Sequence, residues 1–135
     1  MASPCDTLDI VPRVSWGARN AKPGLDKAVL PLDMMVYTHT HGPSCSDRHA
    51  CAAIVREVQA FHMDRKASPF SDIGYSFLIG SDGSIFEGRG WAIRPAYDLR
   101  YNGKGFGTAF IGRYASKDNA STPFTHHAAI SAHDL

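Results

Sequence analysis

Residues 72–91, DIGYSFLIGSDGSIFEGRGW, read as a β-hairpin. Tyr75 to Ile79 is a short, apolar, aromatic-rich run of strand type, and Ser84 to Glu87 is a second. Between them Ser81-Asp82-Gly83 supplies the turn, because Asp-Gly accepts the positive φ angles that tight hairpins require. Gly74, Gly88 and Gly90 flank the hairpin and mark places where the backbone turns or lies close to other atoms.

Outward from the hairpin, the pattern stays mixed. Met34 to Thr40 is β-branched and aromatic, which predicts a buried strand running into the loop His41-Gly42-Pro43. Ser46 or Asp47 can cap a helix that continues to about Met63. On it Val55, Val58 and His62 share one face by their spacing, and Ile54 and Phe61 widen an apolar stripe expected to pack on the sheet. After the hairpin, the polar stretch from Arg94 to Lys104 is too long for a tight turn and reads as a cleft wall. Gly107 to Gly112 reads as another buried strand, and Thr122-Pro123 opens a last, short helix. Residues 1–10 form an irregular lead-in, and residues 11–135 a single domain.

Composition narrows the class. With 135 residues, 44% of them hydrophobic, the chain fits one domain that buries roughly two-thirds of its unfolded surface. A net charge of +1 speaks against a nucleic-acid or acidic-membrane partner. No stretch approaches a membrane span. The opening MASPCDTLDIVPR lacks the apolar core of a signal peptide, so it reads as a mature form with an added start or as a chain whose export is not encoded here. Of the three cysteines, Cys5, Cys45 and Cys51, an odd number leaves one thiol to explain. Cys45 and Cys51 enclose a small ring just before the helix, which closes as a disulfide where the geometry allows. The alternative, a metal site from Cys45, His49 and Cys51, has no recognised spacing.

The 72–91 run closely resembles the central signature of peptidoglycan recognition proteins, a family related to phage-type zinc amidases. VPRVSWGA at Val11–Ala18 is similar to the family's opening segment, and MVYTHT at Met35–Thr40 to its first core strand. VQAFHMDR at Val58–Arg65 resembles the end of its first helix, and GFGTAFIGRY at Gly105–Tyr114 its last central strand. The resemblance implies an α+β fold, a mixed β-sheet flanked by helices, with a groove for muramyl peptide on one face. It also implies a Cys45–Cys51 disulfide, a secreted, extracellular protein, and a role in innate immunity as an antibacterial pattern-recognition domain. Amidase members of the family hold zinc with two histidines and a cysteine; the metal acidifies a water and polarises the lactyl-amide carbonyl, assisted by the tyrosine matched by Tyr75.

This sequence departs from the amidase pattern. Thr38 stands where the first histidine ligand is expected, and a threonine hydroxyl does not replace an imidazole on zinc. The other two ligands belong to a segment following the family's last helix, and the sequence given stops at Leu135 ahead of it. His126, His127 and His133 lie in no such motif and read as helix-surface residues; His39 and His41 share a strand face but make a poor site as a pair. The expectation is therefore peptidoglycan binding without hydrolysis, no metal and no other cofactor. The alternatives are a zinc-dependent N-acetylmuramoyl-L-alanine amidase in a longer form, and a truncated partner that modulates full-length relatives. Cys5, whose family partner would lie just beyond Leu135, is expected free or in a disulfide-linked dimer. Stopping there also predicts an exposed apolar patch where the fold's last part would cover the sheet.

Family contact positions carry over as follows. His39 and Thr40 would form the groove floor, His62 and Arg65 would come from the helix end, and Tyr75 would face them from the hairpin. Tyr97, after Ala96, stands where the family has a groove histidine. Phe70, in Pro69-Phe70, resembles the residue that goes with lysine-type wall, whereas Arg89 resembles the arginine that pairs with a diaminopimelate carboxylate. The two signals point to opposite stem-peptide classes. Without the resemblance, Tyr75 and His62 read as satisfied core-edge residues and Arg89 as a solvated hairpin charge.

Overall fold

The computed structural model describes residues 9–32, 34–98, 102–114 and 135. Its centre is the expected hairpin. Strands β3 (Phe77–Ile79) and β4 (Ile85–Glu87) pair antiparallel, with Leu78 opposite Phe86. In the turn the Gly83 N–H donates to the Gly80 carbonyl at 3.0 Å, and Gly83 has a φ of 88°, the left-handed conformation that favours glycine. The Asp82 carboxylate accepts from the Ser84 N–H and hydroxyl at 3.0 and 2.7 Å, which fixes the reversal. The first strand begins at Phe77 rather than at Tyr75. The Ser76 carbonyl accepts from both Gly88 and Gly90, at 2.9 and 3.0 Å, which takes the chain off the regular ladder.

Among the described residues, three further strands, β1 (Ile10–Val11), β2 (Met34–His39) and β5 (Gly105–Phe110), complete a five-stranded mixed sheet in the order β1-β4-β3-β5-β2. Strand β1 runs parallel to β4, β5 parallel to β3, and β2 parallel to β5. The lead-in is thus shorter than expected, because Ile10 already pairs with Ile85. All six residues of β5 are buried, as a strand between two others should be. It starts and ends two residues earlier than the expected Gly107–Gly112, in register with β2 from Met34–Gly105 to His39–Phe110. The expectation of a buried strand at Met34–Thr40 is corrected: β2 is an edge strand, with Met34 41% and Tyr37 43% exposed.

Helix α2 (Arg48–Asp64) is capped by Asp47, whose carboxylate accepts from the Ala50 N–H at 2.8 Å. Its stripe Cys51, Val55, Gln59 and Met63 repeats every four residues and is buried. Cys51 and Val55 share a core with Leu78, Phe86 and Ala109 of the sheet and Trp16 of the short helix α1 (Arg13–Trp16). The Cys45–Cys51 disulfide is formed and ties the approach to α2 onto its first turn. Phe61 does not pack on the sheet as expected: it is 69% exposed, because it belongs to the neighbouring face of α2. On the sheet's opposite face Phe77, Ile79, Ile85 and Phe110 are buried, with Tyr114 and Leu135 packed against them. The expected open patch is therefore closed at its centre. Cys5, Thr122-Pro123, His126, His127 and His133 lie outside the described residues.

A polar network joins the segment after β1 to the hairpin. The Arg13 guanidinium grips both carboxylate oxygens of Asp72, at 3.0 and 2.8 Å, and donates to the Gly88 and Arg19 carbonyls. Gln59 donates to Asp72 at 3.0 Å and exchanges bonds with both backbone groups of Arg19. Asp72 also accepts the Ile73 N–H at 2.8 Å. A polar residue in the apolar stripe of α2 is thereby satisfied, and the start of the Asp72–Tyr75 segment is held in place.

Candidate ligand groove

One cavity lies beside α2 and another beyond its C-terminal end. The first, of about 480 Å³, runs from Thr40, Gly42 and Pro43 after β2, past the outer face of α2, to His62 and Tyr75. The second, of about 410 Å³, is bounded by Arg65 and Phe70 on one side and Ala96, Tyr97 and Asn102 on the other. The rings of His62 and Phe70, with centroids 5.2 Å apart, stand between them. The His62 ring also lies 5.5 Å from that of Tyr75.

Each wall has a local cause. The Asn102 amide oxygen accepts from the Tyr97 and Asp98 N–H groups, both at 2.9 Å, and so shapes the loop that carries Tyr97. The Tyr97 ring lies flat on β5, where a Cβ at Gly107 would come within 2.3 Å of it; only glycine fits there. Arg65 stacks its guanidinium over Phe70 at 4.7 Å and donates to the Ala67 carbonyl.

The carried-over residues divide. Thr40, His62 and Tyr75 line the first cavity, and Arg65, Phe70 and Tyr97 the second. His39 and Arg89 line neither. The Nδ1 of His39 accepts the Tyr114 N–H at 3.1 Å, and its ring lies 3.6 Å from that of His41, so it locks the end of β2 to the segment after β5. Thr40 lines the groove, but its hydroxyl accepts from the Gly112 N–H at 3.0 Å. Arg89 is not a solvated charge: it is half-buried and donates to the Ile73 and Arg94 carbonyls at 2.7 and 2.9 Å. Residues that sequence reasoning misses include Glu57 and Phe61 in the first cavity and Ser68 and Asp98 in the second. A signal for the first pair is present, since Ile54, Glu57, Val58 and Phe61 form a helical stripe beside the buried one.

Electrostatics set the state of the groove. Burial, together with the nearby Arg65 and Arg89 cations, pushes the His62 imidazole down to about 4, so it is neutral at pH 7. Burial raises the Tyr75 phenol, which stays protonated. Burial lowers His39, assisted by His41 and Arg113. At His62 the unfolded chain takes up a proton near pH 6.5 while the folded one resists until about 4, so stability is full above 6.5 and declines below it. With solvent screening at this partly exposed ring, the loss between pH 7 and 4 is about 2 kcal/mol. Urea unfolding at the two pH values should show it, and His62→Gln should reduce the difference.

Thr38 lies in β2 paired with Ala109, and among the described residues no three histidine, cysteine, aspartate or glutamate side chains converge to hold a metal ion. Also among the described residues, no helix is long and apolar enough to cross a membrane.

Known proteins resemble this chain in sequence and in fold. The family profile described as N-acetylmuramoyl-L-alanine amidase (Amidase_2) matches residues 28–135. One peptidoglycan-recognition protein of Drosophila melanogaster is 42% identical over 105 residues, which is 78% of this chain and 56% of that protein. The chain thus spans about half the length of this relative. Among solved structures, Drosophila peptidoglycan recognition protein SD superposes with a TM-score of 0.84 at 34% identity, over 95% of this chain and 72% of that one. Human PGRP-IBETAC, solved in complex with glycosamyl muramyl pentapeptide, superposes with a TM-score of 0.81 at 36% identity, over 93% and 71%. The chain belongs to the N-acetylmuramoyl-L-alanine amidase (Amidase_2) family, among the peptidoglycan-recognition proteins.

Proposed function

We propose that this domain binds bacterial peptidoglycan as a muramyl peptide, in the groove beside α2, and does not hydrolyse it. The observation that carries this reading is the first cavity, where an apolar wall from α2 ends in two polar tips, His62 near the end of α2 and Tyr75 just ahead of β3. Such a lining suits a sugar–peptide ligand, whose apolar faces need cover and whose hydroxyl and amide groups need fixed partners. The human neighbour solved with glycosamyl muramyl pentapeptide supports the same use of the fold. Thr38, in place of a family zinc ligand, supports binding without cleavage. The formed disulfide supports an oxidising, extracellular setting.

Purified protein should sediment with insoluble peptidoglycan of the lysine type, the diaminopimelate type, or both. Tyr75→Ala should weaken that binding roughly tenfold or more. Failure to sediment with either wall would sink the binding reading. Release of free stem peptide by the pure chain with added zinc would overturn the non-hydrolytic part and favour the amidase alternative.

A further inference from the structure

We propose that His39 and His41 form an acid-released latch on the wall of the first cavity, closed while His39 is neutral and opened when it takes up a proton. The latch regulates the site of the peptidoglycan-binding reading and rests on that reading for its effect on ligand.

The closed state joins the end of β2 to the segment after β5. The Tyr114 N–H donates to Nδ1 of His39 at 3.1 Å, so the ring proton is on Nε2. The Thr40 N–H donates to the Phe110 carbonyl at 3.0 Å, and the Gly112 N–H to the Thr40 hydroxyl, also at 3.0 Å. His41 has a φ of 62°, a left-handed conformation that a residue with a side chain keeps only when its surroundings hold it. Arg113, donating to the His41 carbonyl at 3.2 Å, and the His39 ring, with centroids 3.6 Å apart, supply that hold.

A proton taken up by His39 goes to Nδ1 and sets two N–H donors against each other. The charged and titratable groups acting on this ring are His41 and Arg113, both of which oppose a positive charge there, and the Tyr114 ring lies 6.2 Å away. The Gly112 carbonyl favours the charged ring, and the Thr40 hydroxyl reaches the same oxygen at 3.4 Å. Protonation therefore releases Tyr114, turns His39 toward Gly112 and competes with Thr40 for that carbonyl. Thr40 and His41 line the first cavity beside Gly42 and Pro43, so the change passes directly to its wall. Burial, with His41 and Arg113, holds the His39 imidazole below its ordinary value of 6.5, so the latch is closed above 6.5 and opens as the pH falls below it. His62 stays neutral down to about 4 and does not contribute at milder acidity.

Backbone amide spectra of the free protein between about pH 7 and 5 test the latch. Tyr114, Gly112 and Thr40 should shift together, with a midpoint shared with the His39 ring. Amides that hold still while His39 titrates overturn the proposal. His39→Asn keeps an acceptor near Nδ1 and cannot take up the proton. With a soluble muramyl pentapeptide as probe, wild-type affinity should fall roughly fivefold or more over that range, whereas His39→Asn should keep its affinity throughout. Effects of the probe's own carboxyl groups enter both proteins alike. Equal losses in the two proteins overturn the control of the cavity. A wild-type protein that binds no muramyl peptide at neutral pH defeats the proposed function and that control with it, while the amide shifts still decide whether the latch exists.

Discussion

Replacing Asp72 with alanine is expected to cost about 3–5 kcal/mol of folding stability. The substitution removes one carboxylate, leaves the Arg13 guanidinium without its counter-charge, although it keeps the Gly88 and Arg19 carbonyls, and leaves one Gln59 donor and the Ile73 N–H unpaired. Gln59 is 1% exposed and Asp72 2%, so water has little access to take over those bonds. A domain of this size has a total stability of about 5–15 kcal/mol, which makes the loss a large fraction of it. Asp72→Asn should lose less, about 1–2 kcal/mol, because an amide oxygen still accepts from Ile73 and Gln59 while the charge on Arg13 goes unanswered. Guanidinium unfolding of the three proteins measures both differences. An Asp72→Ala variant within about 1 kcal/mol of wild type would show that the network is replaceable.

Trp16→Ala should be comparably costly, about 3–5 kcal/mol. Trp16 is fully buried and is among the largest such side chains of the core shared by α1, α2 and the sheet. Its indole N–H donates to the Glu87 carbonyl at 2.8 Å, and its own carbonyl accepts from Arg56 of α2. Truncation opens a cavity and also frees the Glu87 carbonyl at the end of β4. Trp16→Phe keeps most of the apolar volume and should cost about 1–2 kcal/mol, chiefly for the lost bond. Thermal melts distinguish the cases, and equal losses for the two variants would show that the hydrogen bond rather than the packing dominates.

The legibility of this chain is uneven for physical reasons. The hairpin can be read because Asp82-Gly83 carries its own turn chemistry, and α2 because Asp47 and the helical spacing of Val55, Val58 and His62 are local signals. Strand β2 has an apolar pattern that fits either a central or an edge position; its pairing, which among the described residues is with β5 alone, decides that. Phe61 reads as sheet-facing because composition does not distinguish the core stripe of a helix from the stripe next to it. In the groove, His62 and Tyr75 emerge through the resemblance, and the structure places them together. Arg89 has the right residue type, but its donors turn to the Ile73 and Arg94 carbonyls. That choice depends on where two loops lie, which no local pattern encodes.

The order of strands has a consequence for how the chain comes to be folded. The sheet pairs β1 with β4 and β2 with β5, and the contacts that seal those pairings join Arg13 to Gly88 across 75 positions and Thr40 to Gly112 across 72. During synthesis the ribosome releases α2 and the hairpin while β2 still waits for its neighbour. Until residue 110 has emerged, β2 offers both of its edges to any other chain. Refolding should accordingly be slow for a domain of this length, on the order of milliseconds to seconds. Overproduction in a crowded cell should therefore be limited by capture of half-made chains rather than by the finished domain.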